Sequence, residues 1–174
     1  MALSLFRKSR ATDHVHAVYS AIVAQSRQPR FYADWGVPDT VTGRFDMVSL
    51  HLALLFRRLR GESHAARAFS QDLFDLFFKD MDRSLREMGA GDLAVPKKIR
   101  KMSSVFYGLL ASLDRALTAG DVEAVTAVLL RNVYGAPDPR AGDLARYLIA
   151  ESSRLARVPA SELLAGRLTG EVAA

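Results

Sequence analysis

Cysteine is absent from this 174-residue chain. That excludes disulfides, thiolate metal sites and cysteine nucleophiles together, and it fits a reducing compartment. No apolar run approaches the ~20 residues needed to cross a bilayer, and the apolar stretch in MALSLFRKSR is too short for a secretory signal. The chain therefore reads as soluble. Strand-like alternation, internal repeats and low-complexity segments are also missing. So are a nucleophile motif, a phosphate loop and a recognisable RNA-binding motif. A di-metal carboxylate bundle needs Glu-x-x-His pairs, and none occurs. His14 and His16 are two residues apart, on different sides of a helix, and make poor co-ligands.

What remains is ordinary globular material with a basic bias. Hydrophobic residues make up 49% and charged residues 25% of the chain, enough to bury a sizeable core in one domain. The net charge of +5 favours partners that carry negative charge. Residues 1–11 read as a flexible basic and apolar tail, and residues 12–174 as a single domain. Leu3, Leu5 and Phe6 beside Arg7, Lys8 and Arg10 have the composition of a segment resting on an anionic bilayer, but a frayed terminus is the simpler reading.

Helical spacing runs through almost all of the rest. A first helix is expected from Thr12, a plausible N-cap, to Gln28, followed by an ordered loop to Gly43. The second helix, Arg44–Leu59, has one stripe of Phe45, Val48, Leu52, Leu55, Phe56 and Leu59. Met47, Leu50 and Leu54 fall on its other side. A helix apolar nearly all round is either central and buried or offers its second face to something else. Arg57, Arg58 and Arg60 in its last turn complement the helix dipole. The third helix spans Ser63–Met88. The fourth starts near Pro96, a residue suited to a first helical position, and closes at Gly120. Asp121 caps a fifth helix to Tyr134, a sixth follows Asp138 and Pro139 to Arg157, and a short seventh spans Pro159–Leu168. The expected fold is all-α, an irregular single-domain bundle of about six to seven helices.

Several residues carry candidate functions. Asp72, Asp75 and Asp82 read as a solvated face of the third helix, but Asp80 projects into its apolar arc. A carboxylate there costs several kcal/mol unless paired, so a buried or half-buried partnership with an arginine is expected, with Arg44 and Arg58 as the candidates. Four of the five residues from Lys97 to Lys101 are cationic (Lys97, Lys98, Arg100 and Lys101), with no acid in helical reach. Charge of that sign in a first turn opposes the dipole, which suits docking to phosphate or lipid headgroups. In the loop, Phe31, Tyr32 and Trp35 are either hot-spot anchors or staples fastening the loop to the bundle.

The wording itself is distinctive. GVPDTVTGRFDMVSLHLALLFRRLRG, then AFSQDLFDLFFKDMDRSLREMGAGDLAVPKKIRKMSSVFYG, resembles the ubiquinol–cytochrome c chaperone family, with the likeness carried by residues 31–117 and echoed by RNVYG at Arg131 to Gly135. MGAGDLAV has Ala90 where the family pattern often carries a larger residue. The resemblance implies an all-helical, non-enzymatic assembly factor for the cytochrome bc1 complex that needs no cofactor. Its implied client is newly made cytochrome b or another bc1 subunit. A small helical partner protein is implied as well, and the ribosome or the anionic inner-membrane surface as a docking place, but not DNA. The absence of a mitochondrial presequence aligns the chain with bacterial members, in the cytoplasm or peripheral on the inner membrane. A client with transmembrane helices needs an apolar groove, and Tyr32, Trp35, Met47, Leu50 and Leu54 are the residues expected to line it. Other readings stay open: a haem-handling protein using His51 or His64, a protein that binds ribosomes or membranes through basic charge, and a small enzyme with no readable constellation.

Overall fold

Apolar residues at three- and four-residue spacing dictate helices, and the two-sided second helix dictates what they pack around. The computed structural model describes the backbone of residues 2–168 and the side chains of residues 11–168. Eight helices follow in order: α1 (Ala2–Ser26), α2 (Pro29–Ala33), α3 (Val41–Leu59), α4 (His64–Glu87), α5 (Val95–Ala119), α6 (Val122–Leu129), α7 (Ala141–Ala156) and α8 (Ala160–Leu164). A π-helical turn, Leu130–Tyr134, extends α6. There is no strand among the described residues. Helix α1 begins at Ala2, not at Thr12. No Gly or Pro precedes Pro29, so nothing in the sequence breaks the helix at Thr12. The tail side chains Leu3 to Arg10 lie outside the described residues.

The bundle is organised around α3, which packs on α1, α4, α5 and α7. On one side Phe45 stacks on Phe77 of α4 at 5.3 Å between centroids, and Phe56 meets Phe106 of α5 edge-on at 6.1 Å. On the other side lie α7 and the end of α1. The three arginines expected to serve the dipole also tie α3 to its neighbours. Arg57 and Arg60 both pair with Asp114 of α5, and Arg58 donates to the carbonyls of Leu155 and Val158 at 2.9–3.2 Å. Asp121 caps α6 as expected, its Oδ1 accepting from the Glu123 N–H at 2.9 Å.

The loop expected between the first two long helices contains α2, which opens on Pro29, a residue whose fixed φ and missing N–H suit a first turn. Helix α3 then starts three residues earlier than expected, because Thr40 Oγ1 accepts from Gly43 N–H at 3.1 Å and caps it. Gly43 is required there: a Cβ would sit 1.9 Å from the Pro38 carbonyl oxygen. Gly43→Ala must push the loop off the helix and strain the cap, an expected loss of about 2–4 kcal/mol. Urea unfolding measures it. Gly91→Ala, where a Cβ meets nothing within 4 Å, is the control and should stay within about 0.5 kcal/mol of the parent.

Candidate protein-binding surface

The α3 face carrying Met47, Leu50 and Leu54 is closed. The three side chains keep at most 1% of their surface. Ser26 Oγ at the end of α1 donates to the Met47 carbonyl at 3.3 Å, and Tyr147 of α7 reaches His51 on the same face. The expectation that these residues line a client groove is therefore corrected: α3 is apolar on both sides because it is the central helix.

The loop aromatics are staples. Phe31 is fully buried, and the Trp35 ring lies 5.4 Å from it and 5.6 Å from Tyr147. The Arg30 guanidinium sits over Trp35 and Tyr147 at 5.3 and 5.2 Å. Its buried Nε and Nη2 have no hydrogen-bond partner among the described residues, so the ring faces supply the compensation for lost water. Tyr134 OH donates to the Trp35 carbonyl at 2.7 Å, and Tyr32 OH donates to the Ser26 carbonyl at 2.7 Å. Trp35 and Tyr32, both half-buried, thus fasten α2 and its loop to the bundle and do not project from it.

His51 is also structural. Its Nε2 lies 2.9 Å from Tyr147 OH and its Nδ1 lies 2.7 Å from the Met47 carbonyl. Burial lowers its pKa, with the Met47 carbonyl opposing, so the ring is neutral at pH 7. Nδ1–H donates to Met47, and Nε2 accepts from Tyr147, whose oxygen accepts in turn from Gln25 Nε2 at 2.9 Å. Both ring nitrogens are occupied, which removes His51 as an axial haem ligand. The adjoining cavity, lined by Ile22, Leu54, Glu151 and Arg154, is about 240 Å³, below the usual size of ligand pockets. His64 is exposed at the start of α4. Among the described residues, no group of three or more His, Cys, Asp or Glu could hold a metal ion.

Asp80 is half-buried and paired with an arginine, as expected, but that arginine is neither Arg44 nor Arg58. It pairs with Arg83 one turn along α4 and accepts from Tyr19 OH at 2.9 Å. Arg44 instead pairs with Asp39, and Arg58 with Glu62. The deeply buried carboxylates are Glu151, paired with Arg154 at 2.6 Å, and Asp46, which is 4% exposed. Burial pushes the Asp46 pKa up to about 7.

Open apolar surface lies elsewhere. The end of α3, α4 and α5 enclose a groove of about 400 Å³ with Phe56, Phe74, Phe106 and Leu110 on its floor and Arg60 and Arg67 at its rim. Tyr107 forms a wall, 55% exposed, stacked 5.5 Å from Phe74. Val105, also on α5, is 42% exposed. Aromatic faces with cationic edges suit an apolar helix whose carbonyl end meets the arginines. The sequence did contain the signal for this groove: Tyr107 directly follows Phe106 and so falls off the apolar stripe of α5, on the polar side with Arg100. Lys97, Lys98, Arg100 and Lys101 are all exposed, and among the described residues none of them enters an ion pair.

Comparison with known proteins gives a consistent result. The model of a family described as ubiquinol-cytochrome C chaperone matches residues 33–170, well past the stretch whose wording carries the resemblance. The chain is 24% identical over 158 residues to ubiquinol-cytochrome-c reductase complex assembly factor 1 of Xenopus laevis, covering 89% of this chain and 77% of that protein. The crystal structure of the Cbp3 homolog from Brucella abortus superposes with a TM-score of 0.85 at 44% identity, over 95% of this chain and 94% of that one.

Proposed function

The chain belongs to the ubiquinol-cytochrome C chaperone family, whose members are non-enzymatic assembly factors of the cytochrome bc1 complex, and from that premise we propose that its aromatic groove holds an apolar segment of newly made cytochrome b. The carrying observation is Tyr107, a large aromatic left 55% exposed beside an apolar floor. Side chains of that kind dominate protein–protein affinity when a partner covers them. The groove shields the segment from water, and the next step of assembly releases it. The rim arginines orient the segment without a catalytic role.

A photo-crosslinking residue at position 107 tests this in membranes of the host, with the same residue at Ala33 as the control. The expected result is a covalent adduct with cytochrome b from position 107 and none from position 33. Tyr107→Asp, at a position open enough to keep the fold, should lower cytochrome b recovery roughly tenfold or more. Adducts from position 33 alone would move the client to another face. Recovery of no bc1 subunit from either position would remove cytochrome b as the client.

A further inference from the structure

We propose that the turn between α4 and α5 docks on an anionic lipid bilayer, with Leu93 and Met88 entering the interface and Lys97, Lys98, Arg100 and Lys101 meeting the headgroups. This deepens the reading above by giving the chaperone a place to work, but its observations are separate from those of the groove.

Leu93 keeps 97% of its surface and Met88 53%. A leucine so exposed at the apex of a connection packs on nothing and contributes nothing to folding. The turn folds without it: Gly89 takes the left-handed conformation at φ +83, and the Ala90 N–H donates to the Leu85 carbonyl at 3.0 Å. Directly behind the apex stand the four exposed cations, on the outward half of α5. The acids near the turn have partners, Asp92 with Arg86 at 2.5 Å and Glu87 facing Arg83 at 3.8 Å, although each arginine is shared with an acid of α4, Asp82 and Asp80, whereas among the described residues the four cations enter no ion pair. The turn thus sets an apolar point beside a cluster of four cations that outnumbers the acids near it.

RNA requires the cations alone. The apolar apex fits a bilayer, where leucine and methionine enter the acyl boundary and lysines stay among the phosphates. Cationic charge in the first turn of α5 opposes the helix dipole, and an anionic surface offsets that cost. The helix also links the two surfaces. Tyr107 lies ten residues beyond Lys97, about 15 Å along the axis, so docking by the turn holds the groove beside the membrane into which its client must pass.

The absence of cysteine makes the test direct. The full chain carrying Leu93→Cys is labelled with an environment-sensitive fluorophore and mixed with phosphatidylcholine vesicles, with and without phosphatidylglycerol. Ala119→Cys, at the far end of α5, is the control. The expected result is a blue shift at position 93 with phosphatidylglycerol only, and none at position 119. In co-sedimentation of the unlabelled chain, replacing all four cations with Gln should weaken phosphatidylglycerol binding roughly a hundredfold or more, and Leu93→Ser roughly tenfold. Vesicle binding with no shift at position 93, or binding indifferent to Leu93→Ser, overturns the proposal. So does binding to a ribosomal RNA hairpin without vesicle binding, which would assign the cations to RNA. Crosslinking from position 107 in the four-Gln variant separates the two readings. An intact cytochrome b adduct alongside lost vesicle binding leaves the client reading standing. A failed adduct in the parent chain alongside retained vesicle binding leaves the docking surface standing.

Discussion

Leu50→Asp is expected to unfold the domain. Leu50 has no exposed surface and sits on the central helix, covered by its neighbours. The substitution forfeits about 1.5–3 kcal/mol of leucine burial and leaves a carboxylate without a partner in the core, a further cost of several kcal/mol. Domains of this size are stable by only about 5–15 kcal/mol, so the sum consumes most or all of the margin. Near-UV circular dichroism and thermal melting should show lost packing and no cooperative transition, and Met47→Asp should behave the same way. Tyr107→Asp, by contrast, should melt within a few degrees of the parent, because its ring is more than half in water. A cooperative melt of Leu50→Asp near that of the parent would mean that this face of α3 opens and would restore it as a binding face.

The contrast between Leu50 and Tyr107 shows which parts of the fold and site were legible in the sequence. Most helix ends governed by local chemistry are readable in the sequence, the Thr40 cap of α3 being the exception. Asp121 caps α6, Gly120 in the left-handed conformation closes α5, and Pro96 stands in the first turn of α5. The all-α architecture followed from periodicity in the same way. Faces governed by distant partners were not readable. The second apolar side of α3 posed a choice between burial and display, and the answer lies in α7, nearly a hundred residues later, whose Tyr147 bonds His51. The angular position of Asp80 predicts that it needs a partner but not which one, and Tyr19 and Arg83 satisfy it at a half-open edge. Asp46, a carboxylate that is deeply buried, gives no signal in the sequence because it sits beside Phe45 and Met47 in a helix apolar nearly all round. The groove is hidden in the sequence for a related reason: periodicity in α5 marks the stripe it buries, and Tyr107 stands one residue off that stripe. Leu93 carried no periodic signal at all, being a single apolar residue in a turn. Its exposure emerges only from the course of the connection between α4 and α5.

Asp46 has a consequence that can be measured without any client. Its carboxyl is pushed up from an ordinary 3.8 to about 7 by burial, so the folded chain holds a proton that the unfolded chain releases. Below about pH 4 the group is protonated in both states and its contribution is fully present. Between that point and pH 7 the unfolded state ionises while the folded state does not, so stability falls as the pH rises, and above pH 7 the whole loss has been incurred. A shift of this size corresponds to about 4 kcal/mol at 1.36 kcal/mol per pH unit, and water reaching the carboxylate reduces it to about 2–4 kcal/mol. Other carboxylates act in the opposite sense. A hydrogen bond from Arg44 holds Asp39 below its usual range, and two from Arg167 hold Glu162 below its own. Each contributes stability that is lost as the pH falls through its folded pKa, so the difference between two chains is the quantity to measure. Asp46→Asn should match the parent near pH 4 and exceed it by about 2–4 kcal/mol near pH 8, read from urea midpoints across that range. A difference that stays constant with pH would show that Asp46 ionises alike in both states, and that another group compensates its charge in the folded chain.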